Sequence, residues 1–162
     1  MRRTSLPHHG SATAGSIEIP TDTVVGKYNW TPQRILIVDN DPEILTAMRL
    51  ITESDGHSVT VANGGKNGIA TFLKTLNTPE PFSLVMTDLN MPDVDGRQVA
   101  SAIKTASPMT VVFLLSGCTA RLLLDTDAPL DIDLVLNKPP RRSELRQAIA
   151  LFLGEGNARA LS

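Results

Sequence analysis

An α/β fold, with a parallel sheet covered by helices on both faces, is predicted by three features of this 162-residue chain. Runs such as Arg34-Ile-Leu-Ile-Val-Asp39 and Thr110-Val-Val-Phe-Leu-Leu-Ser116 are apolar at consecutive positions, which only a strand buried on both sides tolerates. Segments with apolar residues at helical spacing lie between such runs, the alternation of a sheet wrapped by helices. The third feature is positional. The runs close on reactive residues, and open α/β sheets bind ligands at the carboxyl ends of their strands.

Taken in order, residues 1–32 are rich in Ser, Thr, Gly, Pro and His without periodicity and read as a flexible leader. The folded domain is expected over 33–153, with 154–162 as a short tail. Arg34 to Asp39 is the first strand. Asp41-Pro42 then starts a helix, Asp as N-cap and Pro at the first helical position, with Ile44, Met48 and Ile51 on one face. Asn63-Gly64-Gly65 is a turn after the second strand, in which glycine permits positive φ. Ile69, Phe72, Leu73 and Leu76 form the stripe of the second helix. Phe82 to Asp88 is a strand followed by a Pro- and Gly-bearing loop, where Met91-Pro92 sets the backbone direction and Gly96 turns into the third helix. That helix presents Val99, Ala102, Ile103 and Ala106. After the strand closing on Ser116, a short fourth helix is expected around Thr119 to Asp127. Leu134-Val-Leu-Asn-Lys138 is the last strand, and Leu145, Ala148, Ile149 and Phe152 mark the last helix.

Composition narrows the function classes. One core suits this length, since a domain closes at roughly 100–150 residues. A formal charge of −2, with acids and bases mixed along the helices, indicates neither a nucleic-acid footprint nor a membrane-surface patch. Arg141, Arg142 and Arg146 read as the solvated face of the last helix. Cys118 is the single cysteine and makes no intrachain disulfide, which suits a reducing compartment. Arg2-Arg3 is not followed by the apolar core of an export signal, and no apolar stretch approaches the roughly 20 residues that span a bilayer. A cytoplasmic location follows as the default. The neighbours His8 and His9 lack a third ligand, and Lys66-Asn67 lacks the spacing of a phosphate-cradling glycine loop.

The strand ends carry the chemistry. Asp39 with Asn40, then Asp88, Ser116 and Lys138 supply acid with amide, acid, hydroxyl and ammonium at successive strand ends. Oxygen ligands suit Mg2+, and a hydroxyl with a lysine suits phosphoryl oxygens. In the order and spacing of these ends, the chain from Arg34 to about Leu153 resembles the receiver domain of bacterial response regulators, and its last third is most similar to receivers carried by hybrid sensor histidine kinases. The resemblance implies a doubly wound, flavodoxin-like five-stranded sheet of order 2-1-3-4-5. It also implies Asp88 as phospho-acceptor, Asp39 and Asp88 as metal ligands with the backbone carbonyl of Asn90, and Ser116 and Lys138 as phosphoryl contacts. A cis Lys138–Pro139 bond would aim the ammonium at Asp88. The donor would be a histidine kinase or a histidine phosphotransfer protein.

Three positions depart from the family pattern. Asn40 stands where a second acid usually ligates Mg2+, so an amide oxygen without charge takes that place. Val135 stands where an aromatic ring usually reorients on phosphorylation, and the fourth helix is short. The expected function is a stand-alone receiver that signals by protein contact or by passing the phosphoryl group on, with no nucleic acid or membrane among its partners. The alternative is a binding module that keeps the fold without switching. An aspartate-nucleophile phosphatase would want an acid two residues after the nucleophile, where Asn90 stands.

Overall fold

The computed structural model describes residues 31–117 and 131–154. Its elements are β1 (Arg34–Asp39), α1 (Pro42–Glu53), β2 (Ser58–Asn63), α2 (Gly65–Thr75), β3 (Leu84–Asp88), α3 (Gly96–Ala106), β4 (Val111–Ser116), β5 (Leu134–Asn137) and α4 (Arg142–Leu153). All strand pairs are parallel, and the sheet runs β2-β1-β3-β4-β5. The expected fold and strand order are therefore those observed. The short helix expected around Thr119 to Asp127 lies outside the described residues, as do Cys118, His8, His9 and the Arg2-Arg3 pair.

Continuous apolar runs form the sheet because both faces are covered. Successive residues of β1 serve opposite cores: Ile35 and Ile37 join α1 and α4 through Leu45, Met48, Leu145, Ala148 and Ile149. Leu36 and Val38 join α2 and α3 through Phe72, Val99, Ala100 and Ile103. Phe113 in β4 meets Phe152 of α4 edge to face at 5.3 Å, a geometry worth about 0.5–1.5 kcal/mol beyond burial.

The helix faces are rotated slightly from the expected stripes. In α1 the buried positions are Leu45, Met48 and Thr52, with Ile44 and Ile51 half-buried at the flanks. Leu73, expected on the apolar face of α2, is 48% exposed. It directly follows the buried Phe72, and one residue is about 100° of helix, enough to carry it off the core. Ala106, at the last turn of α3, is also exposed, and Ala100 is buried instead. Arg142 and Arg146 are not simply a solvated face, because both pair with Asp55 in the turn after α1. Arg141 is exposed as expected.

Two glycines set the fit near the strand ends. Gly64 has φ +88 at the N-cap of α2, the turn conformation that the Asn-Gly-Gly string predicts. Gly96 differs from its expected role as a turn: it is the first residue of α3, where a side chain would run into the Asp88 carbonyl, Leu114 and Leu89. Its bare Cα lets α3 sit directly on the backbone that presents Asp88. The positive φ in this loop falls on Asp93 (66°), where Val94 N–H donates to the Pro92 carbonyl at 2.8 Å and closes a three-residue turn. Met91 also does more than set direction, since its side chain is buried in the α2–α3 core.

Candidate functional site

β1 and β3 are adjacent, and Val38 pairs with Thr87, so Asp39 and Asp88 end neighbouring strands at the same level. β4 ends on the other side of β3, with Asp88 opposite Leu115 and Ser116 one step further out. Ser116 pairs with Asn137, and its carbonyl accepts Lys138 N–H at 3.0 Å. The sheet register alone thus delivers an acid from β1, an acid from β3, a hydroxyl from β4 and a cation from β5 to one edge.

Lys138 closes the group. Its Nζ lies 2.7 Å from Asp39 Oδ2 and 3.2 Å from Asp88 Oδ2. The Lys138–Pro139 peptide bond is cis, as the resemblance implies. Asp39 is fully buried, Asp88 and Ser116 nearly so, and the lysine side chain keeps 19% exposure. Asp39 Oδ1 accepts the Asp41 N–H at 2.8 Å, while the Asp41 side chain caps α1 by accepting from Glu43 N–H at 2.9 Å. Asp41 is therefore the N-cap expected of it, with its backbone also orienting Asp39. Asn40 is exposed, and the neighbour whose backbone touches Asp39 is Asp41. Asn90 is exposed as well, and its backbone amide works to lower the Asp88 pKa.

Burial raises the pKa of Asp88, and the charge of Asp39 raises it further, against the opposing pull of Lys138 and the Asn90 amide. Burial alone would lower Lys138. Hydrogen bonds to Asp39 and Asp88, together with their charges, outweigh it and hold the ammonium above its ordinary pKa. The pocket carries two carboxylates against one cation, so it favours a further positive charge.

The oxygens present fit Mg2+. Asp39 Oδ2 is fully buried and, apart from the ammonium beside it, makes no well-aligned hydrogen bond, so it keeps lone pairs facing the site. Among the described residues no three His, Cys, Asp or Glu side chains cluster as ligands. Mg2+ accepts sparse protein ligation while retaining waters.

Thr87 and the Asp41 amide carried no expectation from the sequence, and Gly96 was expected only as a turn. Thr87 is fully buried and its hydroxyl donates to the Asp88 carbonyl at 3.1 Å. Its signal was a lone polar residue in an apolar run, next to the acid.

Residues 35–150 match the family described as Response regulator receiver domain. The chain is 31% identical over 122 residues to the response regulator receiver protein CpdR of Brucella abortus, covering 75% of this chain and 97% of that one. It is 33% identical over 130 residues to the sensor histidine kinase GacS of Pseudomonas protegens, covering 75% of this chain and 13% of GacS. The chain spans less than a fifth of the length of the longer relatives that it matches, GacS included. The fold is that of the Thermotoga maritima response regulator TrrA, solved in complex with Mg2+–BeF, at a TM-score of 0.66 and 23% identity over 75% of this chain and 99% of that one. No helix among the described residues is long and apolar enough to cross a membrane. With the matched residues spanning the sheet from β1 to α4 and every strand end of the pocket, the chain belongs to the response regulator receiver domain family.

Proposed function

We propose that this chain accepts a phosphoryl group on Asp88 in a Mg2+-dependent phosphorelay, with residues 33–153 as the receiver unit. One observation carries the reading: at the carboxyl edge of the sheet, Lys138 bridges Asp39 and Asp88. That arrangement supplies a nucleophile, a partner acid and a cation within one buried pocket.

In this reading the Asp88 carboxylate attacks phosphorus in line, and the phosphorus–donor bond breaks with its electron pair leaving on the donor. Mg2+, when bound, would supply the charge neutralisation that lets one anion approach another. Asp39 and Asp88 would hold it, with the Asn90 carbonyl as a third ligand and Asn40 as an uncharged substitute for a second acid. Once the phosphoryl group is on Asp88, Lys138 turns from the carboxylates to one of its oxygens, and the Ser116 hydroxyl donates to another. Gly96 and Thr87 keep the Asp88 backbone fixed during the transfer.

Receiver domains as a class bind Mg2+ and take their phosphoryl groups from histidine kinases or histidine phosphotransfer proteins, and we assign that donor class here. Output by protein contact or by further phosphotransfer fits the near-neutral charge, although a transcriptional regulatory protein is among the relatives. A cytoplasmic location fits the same class. Val135 of β5, half-buried and paired with Leu114 of β4, favours a weak output switch, because a β-branched side chain has no ring to swing and few rotamers. A binding module that no longer switches is the second reading.

Incubation with Mg2+ and a small phosphodonor tests the proposal. Labelling is expected in the native protein and lost in Asp88→Asn or in chelator. Labelling that survives the substitution rejects Asp88 as the acceptor, and a folded native protein that takes no label supports the second reading.

A further inference from the structure

β5 carries Lys138 into the pocket, yet burial fixes it less than it fixes the central strands. β3 and β4 are buried at every position, whereas in β5 only Leu136 is buried. The strand also lies at the edge of the sheet, paired with β4. Register is strongly specified where a strand face is buried and weakly where it is not. One residue of slip is about 3.3 Å along a strand, as far as Lys138 Nζ now stands from the Asp88 carboxylate at 3.2 Å. A hold other than apolar burial is needed to keep the ammonium on both acids.

Asp133, the residue before β5, supplies that hold. Its N–H donates to the Val112 carbonyl at 2.9 Å and its Oδ2 accepts the Val112 N–H at 2.8 Å, so one residue takes both main-chain groups of its β4 neighbour. The same Oδ2 meets Lys104 Nζ at 2.7 Å, and the two side chains are 16% and 13% exposed. Lys104 stands in the last turn of α3, and its ammonium also reaches the Pro108 carbonyl at 3.4 Å. Next to Asp133 in the chain, Ile132 packs on the α2–α3 core. α3 joins this anchor to the nucleophile. Its first residue, Gly96, sits against the Asp88 carbonyl, and Lys104 lies about 12 Å further along the helix axis. The far end of β5 returns to the pocket, where Lys138 N–H donates to the Ser116 carbonyl and Nζ meets both acids.

We propose that Lys104 and Asp133 are positioning residues for phosphoryl transfer: their ion pair is a strut from α3 that sets β5 along the sheet and thereby places the Lys138 ammonium beside Asp39 and Asp88. The chemistry rests on the acceptor role read for Asp88 above, and the mechanics does not. Both residues act through Lys138. Because both groups are enclosed, loss of either charge is felt more than at a surface pair, and the short edge strand is the part that gives.

Amide hydrogen exchange, Mg2+ titration and labelling with acetyl phosphate, compared in the native protein, Lys104→Met and Asp133→Asn, test the strut. Asp133→Asn keeps an oxygen for the Val112 N–H and removes the charge. In both variants, protection of the β5 amides and of Lys138 N–H should fall by about tenfold or more, with β1 and β3 protected as in the native protein. Mg2+ should bind no more weakly, because Asp39 and Asp88 are intact and a displaced ammonium competes less for their oxygens. Labelling should slow by about tenfold or more, since a misplacement of about 1 Å can cost on the order of 100-fold. Native β5 protection in both variants overturns the proposal, as does protection lost equally from β1 and β3. Labelling at the native rate with β5 loosened overturns it too, and so does weakened Mg2+ binding, which would show a pocket disturbed as a whole. Exchange and Mg2+ binding are read without a phosphoryl group, so a native protein that takes no label rejects the acceptor role while those two still decide the strut. If Asp133→Asn does not fold, Lys104→Met decides.

Discussion

Replacing Lys138 with methionine keeps most of the stem's bulk and removes the cation that, among the described residues, contacts both acids. Asp39 has no exposure and Asp88 has 7%, so neither can turn to water. Asp39 would keep the Asp41 N–H, leaving two carboxylates side by side without the ammonium. Breaking a buried pair costs about 3–5 kcal/mol; with the ammonium itself one-fifth exposed, the lower end applies, about 3 kcal/mol at pH 7. The loss has a pH signature. Asp88, already held above 3.8 by burial and by Asp39, would rise further and take up a proton. A carboxyl with a raised pKa contributes stability below its unfolded value that is lost as pH rises through its folded value, so the variant should recover in acid. Urea unfolding should show a midpoint lower by about 1.5 M at pH 7 for a slope near about 2 kcal/mol per M, with most of the difference gone near about pH 4. A loss under about 1 kcal/mol at pH 7, or one that persists in acid, would refute the pocket's electrostatics.

Three further substitutions probe the supports of the site. Gly96→Ala drives a methyl group into the Asp88 carbonyl and Leu114, and should cost about 2–3 kcal/mol and slow phosphoryl labelling; a near-native urea midpoint would show that α3 can shift freely. Asn40→Asp should tighten Mg2+ in a calorimetric titration and lower metal-free stability, because a third acid joins the pocket; equal Mg2+ affinity would place residue 40 away from the ion. Asp93→Gly relieves the positive φ at 66° and should raise stability by about 0.5–1 kcal/mol in thermal unfolding, whereas destabilisation would mean that the Asp93 side chain holds the turn.

The sheet could be read from sequence because burial on both faces leaves an unmistakable residue pattern. β1 shows it best, with consecutive residues dividing between two cores. The ends of the strands were equally legible, since Asp39, Asp88, Ser116 and Lys138 each interrupt an apolar run. Helix faces were less so. Leu73 and Phe72 are both large and apolar, and only the twist of α2 against the sheet decides which one is covered. Contacts made by backbone or by the absence of a side chain left weaker marks. The Asp41 amide on Asp39 and the bare Cα of Gly96 under Asp88 depend on how elements dock, which residue type does not specify. The pairing of Asp55 with Arg142 and Arg146 spans some ninety residues of sequence, and like charge at helical spacing reads as a solvated face until the fold supplies the acid.

The central claim, that Asp88 is the phospho-acceptor, is tested most directly by trapping the adduct where it forms. Borohydride reduction of an aspartyl phosphate leaves homoserine, so protein treated with Mg2+ and a small phosphodonor can be reduced, digested and mapped by mass spectrometry. Homoserine is expected at position 88 alone, dependent on Mg2+ and absent without the donor. Homoserine at Asp39 or Asp41, or none in folded protein under conditions that label other receivers, would contradict it.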